Sequence, residues 1–225
     1  MKKTLFWMLV CCLSLQVSAQ KKVNILGGSV GEIKEETRIE LPKPEYGSGL
    51  PLMEALKRRA TSRSFLPEPL PMQEISNILW AANGVNRPQL GMRTAPSARN
   101  AQEIDVYVFL EKGVFLYNAD KHVLDPVVMK DFRKEVSNQK FFVEAPMVLV
   151  YVANYDKMVK FSDEAKEFYS ATDVGFVSQN VYLYCASSKL STVVCGMFNK
   201  ELIQKLLNIK NGKILLVQPV GRATE

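Results

Sequence analysis

The sequence predicts an α+β domain: a mostly antiparallel central sheet with helices on both faces and a buried central helix. Three observations predict it. A hairpin signal sits between helical stretches, a later strand is apolar on both faces, and one long helix is apolar nearly all round. With 225 residues, 47% of them apolar and 23% charged, the chain can bury one sizeable core and is too rich in Val, Leu and Phe for disorder.

Taken in order, residues 1–19 read as a signal peptide. Met1-Lys2-Lys3 is a basic head, Thr4–Val17 is an uncharged apolar run, and Val17-Ser18-Ala19 is a small-x-small cleavage site. The run is short for an uncleaved span of about 20 residues. The mature chain is therefore expected in an exported, periplasmic location. Residues 20–49 read as an N-terminal arm of mixed Lys and Glu with Gly27-Gly28, Pro42, Pro44 and Gly47-Ser48-Gly49, where no period holds. The folded domain is expected over 50–225.

Leu52, Met53, Leu56 and Arg59 have helical spacing, and Pro51 suits a first turn. A second helix starts at Pro71, buries Ile75, Ile78, Leu79 and Ala82, and stops at Gly84. A short third helix is expected near Ser97. Asp105–Leu110 and Val114–Tyr117, joined through Glu111-Lys112-Gly113, read as the hairpin. Pro146–Ala153 is the strand covered on both sides, with further strands at Ser191–Cys195 and Ile214–Val220. The long helix spans roughly Glu164–Lys189; Asp173, Gln179 and Asn180 argue against a membrane span. A last amphipathic helix, Lys200–Leu207, ends at the Asn211-Gly212 turn.

Charge and composition exclude several functions. Without the leader the net charge is +4, spread along the chain, which is solvated surface and not a nucleic-acid footprint. His122 is the single histidine, so a His-based zinc site or a Ser-His-Asp machine is not expected, and no metal site is read. Cys185 and Cys195 are close enough in sequence to pair in an oxidising compartment, but two buried apolar thiols on different elements is the favoured reading.

Four segments carry candidate chemistry. Arg58–Phe65 (RRATSRSF) puts three guanidinium groups and three hydroxyls where a helix breaks, a set that matches phosphate oxygens, although alone it reads as a solvated basic helix end. Ala95–Gln102 (APSARNAQ) offers amides to a heteroaromatic edge, or alone an N-cap. Val194-Cys195-Gly196 ends a buried strand where Gly permits close approach of a ligand. Pro219–Arg222 (PVGR) adds one more guanidinium.

In this order, together with Asp173–Gly196, these segments resemble the nitroreductase family of flavin enzymes, from about Leu52 to Arg222. Leu79–Arg87 (LWAANGVNR) is similar to the SagB-type dehydrogenase branch, which includes oxidases of modified peptides. The resemblance implies an extensive homodimer with FMN at each of two subunit interfaces. It implies that Arg59, Ala60, Thr61 and Arg63 hold the phosphate and ribityl chain, joined by Arg222. Pro96, Ser97 and Asn100 would line the ring, Asn100 from the partner subunit. Val194, Cys195 and Gly196 would lie along it, with a backbone N–H near flavin N5.

The implied activity is FMN-dependent oxidoreduction of a small molecule or peptide. Electrons would come from NAD(P)H or, given export, from a membrane redox donor. No acid or base is assigned, and no nucleic-acid partner is expected. The alternatives are an exported flavin-binding electron-relay protein and a non-catalytic interaction module on the same fold.

Overall fold

The computed structural model describes residues 38–224; the expected signal peptide and the arm as far as residue 37 lie outside them. The elements are β1 (Ile39–Glu40), α1 (Leu52–Arg58), β2 (Phe65–Leu66), α2 (Met72–Asn83), β3 (Val85–Arg87), β4 (Met92–Arg93), β5 (Ile104–Leu110), β6 (Gly113–Asn118), β7 (Val123–Val128), β8 (Met147–Asn154), α3 (Asp163–Ser187), β9 (Leu190–Thr192), α4 (Lys200–Leu206) and β10 (Gly212–Ala223).

The main sheet runs β1-β7-β6-β5-β8-β10-β2, with β9 also on β10, and every pairing is antiparallel. The hairpin closes at Leu110↔Gly113. Gly113 sits at φ 150°, and a Cβ there would run into the Val128 carbonyl, so only glycine makes this turn.

β8 bears out its two-sided reading residue by residue. Met147, Leu149, Tyr151 and Ala153 join the core under α2 and α3, while Val148, Val150 and Val152 join the opposite core with Ile203 and Leu206 of α4. Tyr151, fully buried, gives its hydroxyl hydrogen to Gln218 Oε1 at 2.6 Å. α3 is capped by Ser162, whose hydroxyl accepts the Ala165 N–H. Its buried stripe is Ser170, Asp173, Val174, Val177, Ser178, Val181 and Cys185; Leu183 and Ala186 are half-buried, and Phe176 is exposed in the single chain. Cys185 and Cys195 are free, buried and on different elements, and no bridge joins them.

The arm residues that are described do more than connect. Ile39–Glu40 pairs with β7, and the chain behind it is pinned by His122. Its Nδ1 faces Tyr117 Oη at 2.9 Å, and its Nε2 lies 2.7 Å from Ser76 Oγ and 3.1 Å from the Pro42 carbonyl. Burial pulls the imidazole down, the Pro42 carbonyl opposing.

Three local expectations need correction. Residues 98–100 form a tight turn, not a helix, because Arg99 and Asn100 adopt φ of 52° and 54°. The strand expected over Ser191–Cys195 stops at Thr192 and resumes only as a Cys195–Val217 bridge. β7 is a strand the sequence reading did not include; it carries Pro126 in its middle, but β1 pairs only Val123 and Leu124, so the Pro126 edge needs no N–H.

Candidate functional site

The first half of the site is built where α1 ends. The Arg59 N–H closes on the Ala55 carbonyl at 2.9 Å, and Arg59 itself leaves the helix at ψ 116°. The chain then runs beside β9. Ser62 N–H donates to the Thr192 carbonyl at 3.0 Å, and the Ser191 hydroxyl bonds Ser62 Oγ at 2.9 Å.

From α3, Tyr182 reaches into this segment. Its hydroxyl oxygen accepts the Val194 N–H at 2.9 Å and lies 3.1 Å from Thr61 Oγ1, while the Arg59 guanidinium stands over its ring, 5.4 Å from the centroid. One tyrosine thus ties Arg59, Thr61 and Val194 together. Sequence reasoning did not single it out; the available signal was a phenol in an apolar helix, a group that needs a polar partner when half-buried.

Ala60 and Arg63 are exposed on the same segment. Arg63 lies close enough to Cys195 for its charge to act on the thiol: burial pushes the thiol up, and Gln139 and Arg63 draw it part of the way back. The Cys195 N–H goes to the Val217 carbonyl at 2.8 Å and that of Val194 to Tyr182. Of these three amides, only that of Gly196 has no acceptor among the described residues, and a Cβ built on Gly196 would meet open space.

Arg222 is the member the structure does not aim at this cluster. It lies next to β2 and β9 in register, but its guanidinium faces Glu74 at 3.5 Å and Glu68 at 4.0 Å.

The second half is the loop before β5. Ser97 Oγ accepts the Gln102 N–H at 2.9 Å, and Gln102 Nε2 donates to the Gly91 carbonyl and to Asn100 Oδ1. Ala98 N–H donates to Asp173 Oδ2 at 2.9 Å, tying the loop to α3. Arg99 stands over the Phe161 ring, 4.9 Å from its centroid. Pro96 and Asn100 are exposed and Ser97 half-buried. Asn100 and Gln102, with Arg99, hold φ near 50°, a conformation that costs energy in non-glycine residues and persists only where neighbours enforce it.

The two halves are anchored to α3 nine positions apart, at Tyr182 and Asp173. At 1.5 Å per residue this is about 14 Å along the helix axis. No hydrogen bond joins one half to the other among the described residues.

The chain matches the family model "Nitroreductase family" over residues 56–222. A relative from Methanocaldococcus jannaschii, whose name assigns it to the nitroreductases, is 34% identical over 197 residues, covering 83% of this chain and 97% of the relative. A solved structure from Ralstonia eutropha, also named as a nitroreductase, has a TM-score of 0.79 at 39% identity and covers 84% of this chain and 90% of its own. The fold extends further: the microcin synthetase McbBCD complex of E. coli, solved with truncated pro-MccB17 bound, has a TM-score of 0.65 at 16% identity over 91% of this chain and 85% of its own. The match spans both halves of the site, and the chain belongs to the nitroreductase family.

Proposed function

We propose that the protein is an FMN-dependent oxidoreductase. The observation that carries this reading is the convergence of Arg59 and Thr61 with Val194 on Tyr182, with Arg63 beside Cys195. Arg59, Thr61, Ser62 and Arg63 supply hydroxyls and cations, with no carboxylate among residues 59–63, which suits a phosphate and a polyol chain. The chemistry supplied by bound FMN is hydride acceptance at N5 and transfer of the electrons to a second substrate. Arg59, Thr61 and Arg63 hold the phosphate end, and Arg222 joins them only by giving up Glu68 and Glu74. Pro96, Ser97 and Asn100 line the ring, and Gly196 offers it a free amide.

The anchoring of the halves nine positions apart on α3, about 14 Å along its axis, supports a homodimer in which Asn100 of one copy serves the site of the other. Exposed apolar side chains are available for it: Leu52, Met53 and Leu56 of α1 and Phe168 and Phe176 of α3, Met53 exposed by 76%. Sedimentation at micromolar concentration is expected to give twice the monomer mass.

The absorbance spectrum of purified protein, with and without NADPH, tests the cofactor. A flavin spectrum is expected, and a colourless protein that takes up no added FMN overturns the reading. Loss of one charge-assisted phosphate contact costs about 1.5–3 kcal/mol, so Arg59→Ala is expected to weaken FMN roughly ten- to a hundred-fold.

Two finer points belong to the same proposal. The resemblance carried by Leu79–Arg87 supports the SagB-type branch, with a small-molecule or peptide substrate. The leader at 1–19 makes the mature protein periplasmic, where nicotinamide donors are scarce. Slow reduction by NAD(P)H and faster turnover with a membrane redox partner are therefore expected, the electron-relay function being the second reading. Rapid NADPH reduction of a cytoplasmic protein with Met1 intact overturns both.

A further inference from the structure

Glu103 follows the ring-lining loop directly and is fully buried, and both its carboxyl oxygens lack a hydrogen-bond partner among the described residues. Its backbone is fixed, since its carbonyl accepts the Asn154 N–H at 2.9 Å. Its carboxyl lies within hydrogen-bonding reach of Asp173, itself only 3% exposed. Asp173 is the group that receives the Ala98 N–H from the loop.

Two ionised carboxylates offer each other only lone pairs, and like charges this close in a dry site do not both ionise. The other groups nearby offset this only in part: Glu103's own backbone N–H favours the ionised carboxyl without outweighing burial. Lys157 is the cation facing the pair, and its ammonium is bound to Asp105 at 2.6 Å and to the Gln102 carbonyl at 3.2 Å. On the α2 side, the Asn83 amide is donated to the Ile104 carbonyl.

We propose that Glu103 is a carboxylic acid in the folded protein, that it donates its proton to a hydrogen bond with Asp173, and that this shared proton fastens the Ala95–Gln102 loop to α3. Glu103 is then a positioning residue for the segment that lines the ring, an inference that rests on the FMN reading only in naming what the loop positions. The loop needs such a fastening because three of its residues hold left-handed backbone. Burial, with Asp173 adding to it and Glu103's own backbone N–H and Lys157 opposing, pushes the Glu103 carboxyl up to about 7. Above that pH the proton leaves, the two carboxylates repel, and the Ala98–Asp173 bond loosens.

The test uses the full chain without FMN first, comparing wild type with Glu103→Gln, whose amide N–H donates to Asp173 at every pH. Infrared difference spectra between pH 5 and pH 9 are expected to show a protonated carboxyl band in wild type that is missing in Glu103→Gln. Amide exchange at Ala98, corrected for intrinsic base catalysis, is expected to rise at least several-fold from pH 6 to pH 8 in wild type and to stay flat in the variant. FMN affinity is then expected to be equal at pH 6 and several-fold tighter for Glu103→Gln at pH 8. A missing band, or a Glu103→Gln protein whose exchange follows the wild-type pH profile, overturns the proposal. The band and the exchange profile without any FMN binding sustain the shared proton and remove the reading of the ring site.

Discussion

His122 and Glu103 solve the same problem in opposite ways. Each is an ionisable side chain, His122 half-buried and Glu103 buried, holding an irregular segment against the sheet domain, His122 the arm at Pro42 and Glu103 the loop at Ala98. His122 is complete as a neutral ring: one nitrogen donates to the Pro42 carbonyl and the other accepts from Tyr117. Glu103 is complete only when it carries a proton. Their pH dependences therefore have opposite signs. An unfolded His takes a proton near 6.5, whereas the folded ring resists it, so this contact's stability is full above that pH and falls on acidification. An unfolded Glu releases its proton near 4.5, whereas Glu103 keeps its own to about 7, so that contact's stability falls as pH rises across the interval. A polar group satisfied in its ordinary state locks a segment, whereas one that depends on a borrowed proton holds it releasably.

The largest effect expected on this contrast comes from Asp173→Ala, which removes both the acceptor of Ala98 and the partner of Glu103. Loss of a hydrogen bond to a charged acceptor, with a buried acid left unpaired, costs about 2–3 kcal/mol at pH 5. Thermal unfolding measures it, and a loss below about 1 kcal/mol means the loop is held by something else. His122→Asn comes next. Asn tolerates the φ of 54° at this position but leaves Tyr117 or Ser76 short of a partner, for about 1–2 kcal/mol at pH 8. Denaturant titrations at pH 8 and pH 5 are expected to show that cost together with disappearance of the acid-side weakening; an unchanged acid slope assigns it elsewhere. The smallest is Asn100→Gly. Relief of left-handed backbone, less the Gln102 contact, is expected to raise stability by roughly 0.5 kcal/mol while weakening FMN. Tighter FMN binding in this variant breaks the link between loop strain and the ring site.

The architecture was legible because β8, the hairpin and α3 each span enough residues for a period to show. β1, β2, β3 and β4 were not: two or three residues carry no period, and their pairing is decided by neighbours distant in sequence. The candidate site was legible as segments but not as contacts. The groups from Arg59 to Arg63 and from Val194 to Gly196 do come together, yet Tyr182, which joins them, is one phenol among several. The turn at 98–100 read as a helix because its residues tolerate one, and left-handed backbone leaves no mark in a sequence with no glycine there. Arg222 was read as joining the phosphate group, but it faces Glu68 and Glu74 from the loop after β2 and from α2, a meeting set only by the folded chain.

β10 has a consequence for the order in which the protein can be made. This strand pairs with β8 for most of its length and also takes β9 and β2, so it joins Phe65 to Ala223 across nearly the whole described chain. Contacts so distant in sequence are slow to form. During synthesis, at about 5–20 residues per second, β8 emerges well before its partner and presents an apolar edge on both faces. A nascent chain that has not reached Gly212 therefore has an open sheet, the kind of edge that recruits other chains. Completion of the sheet therefore waits on its last strand in sequence.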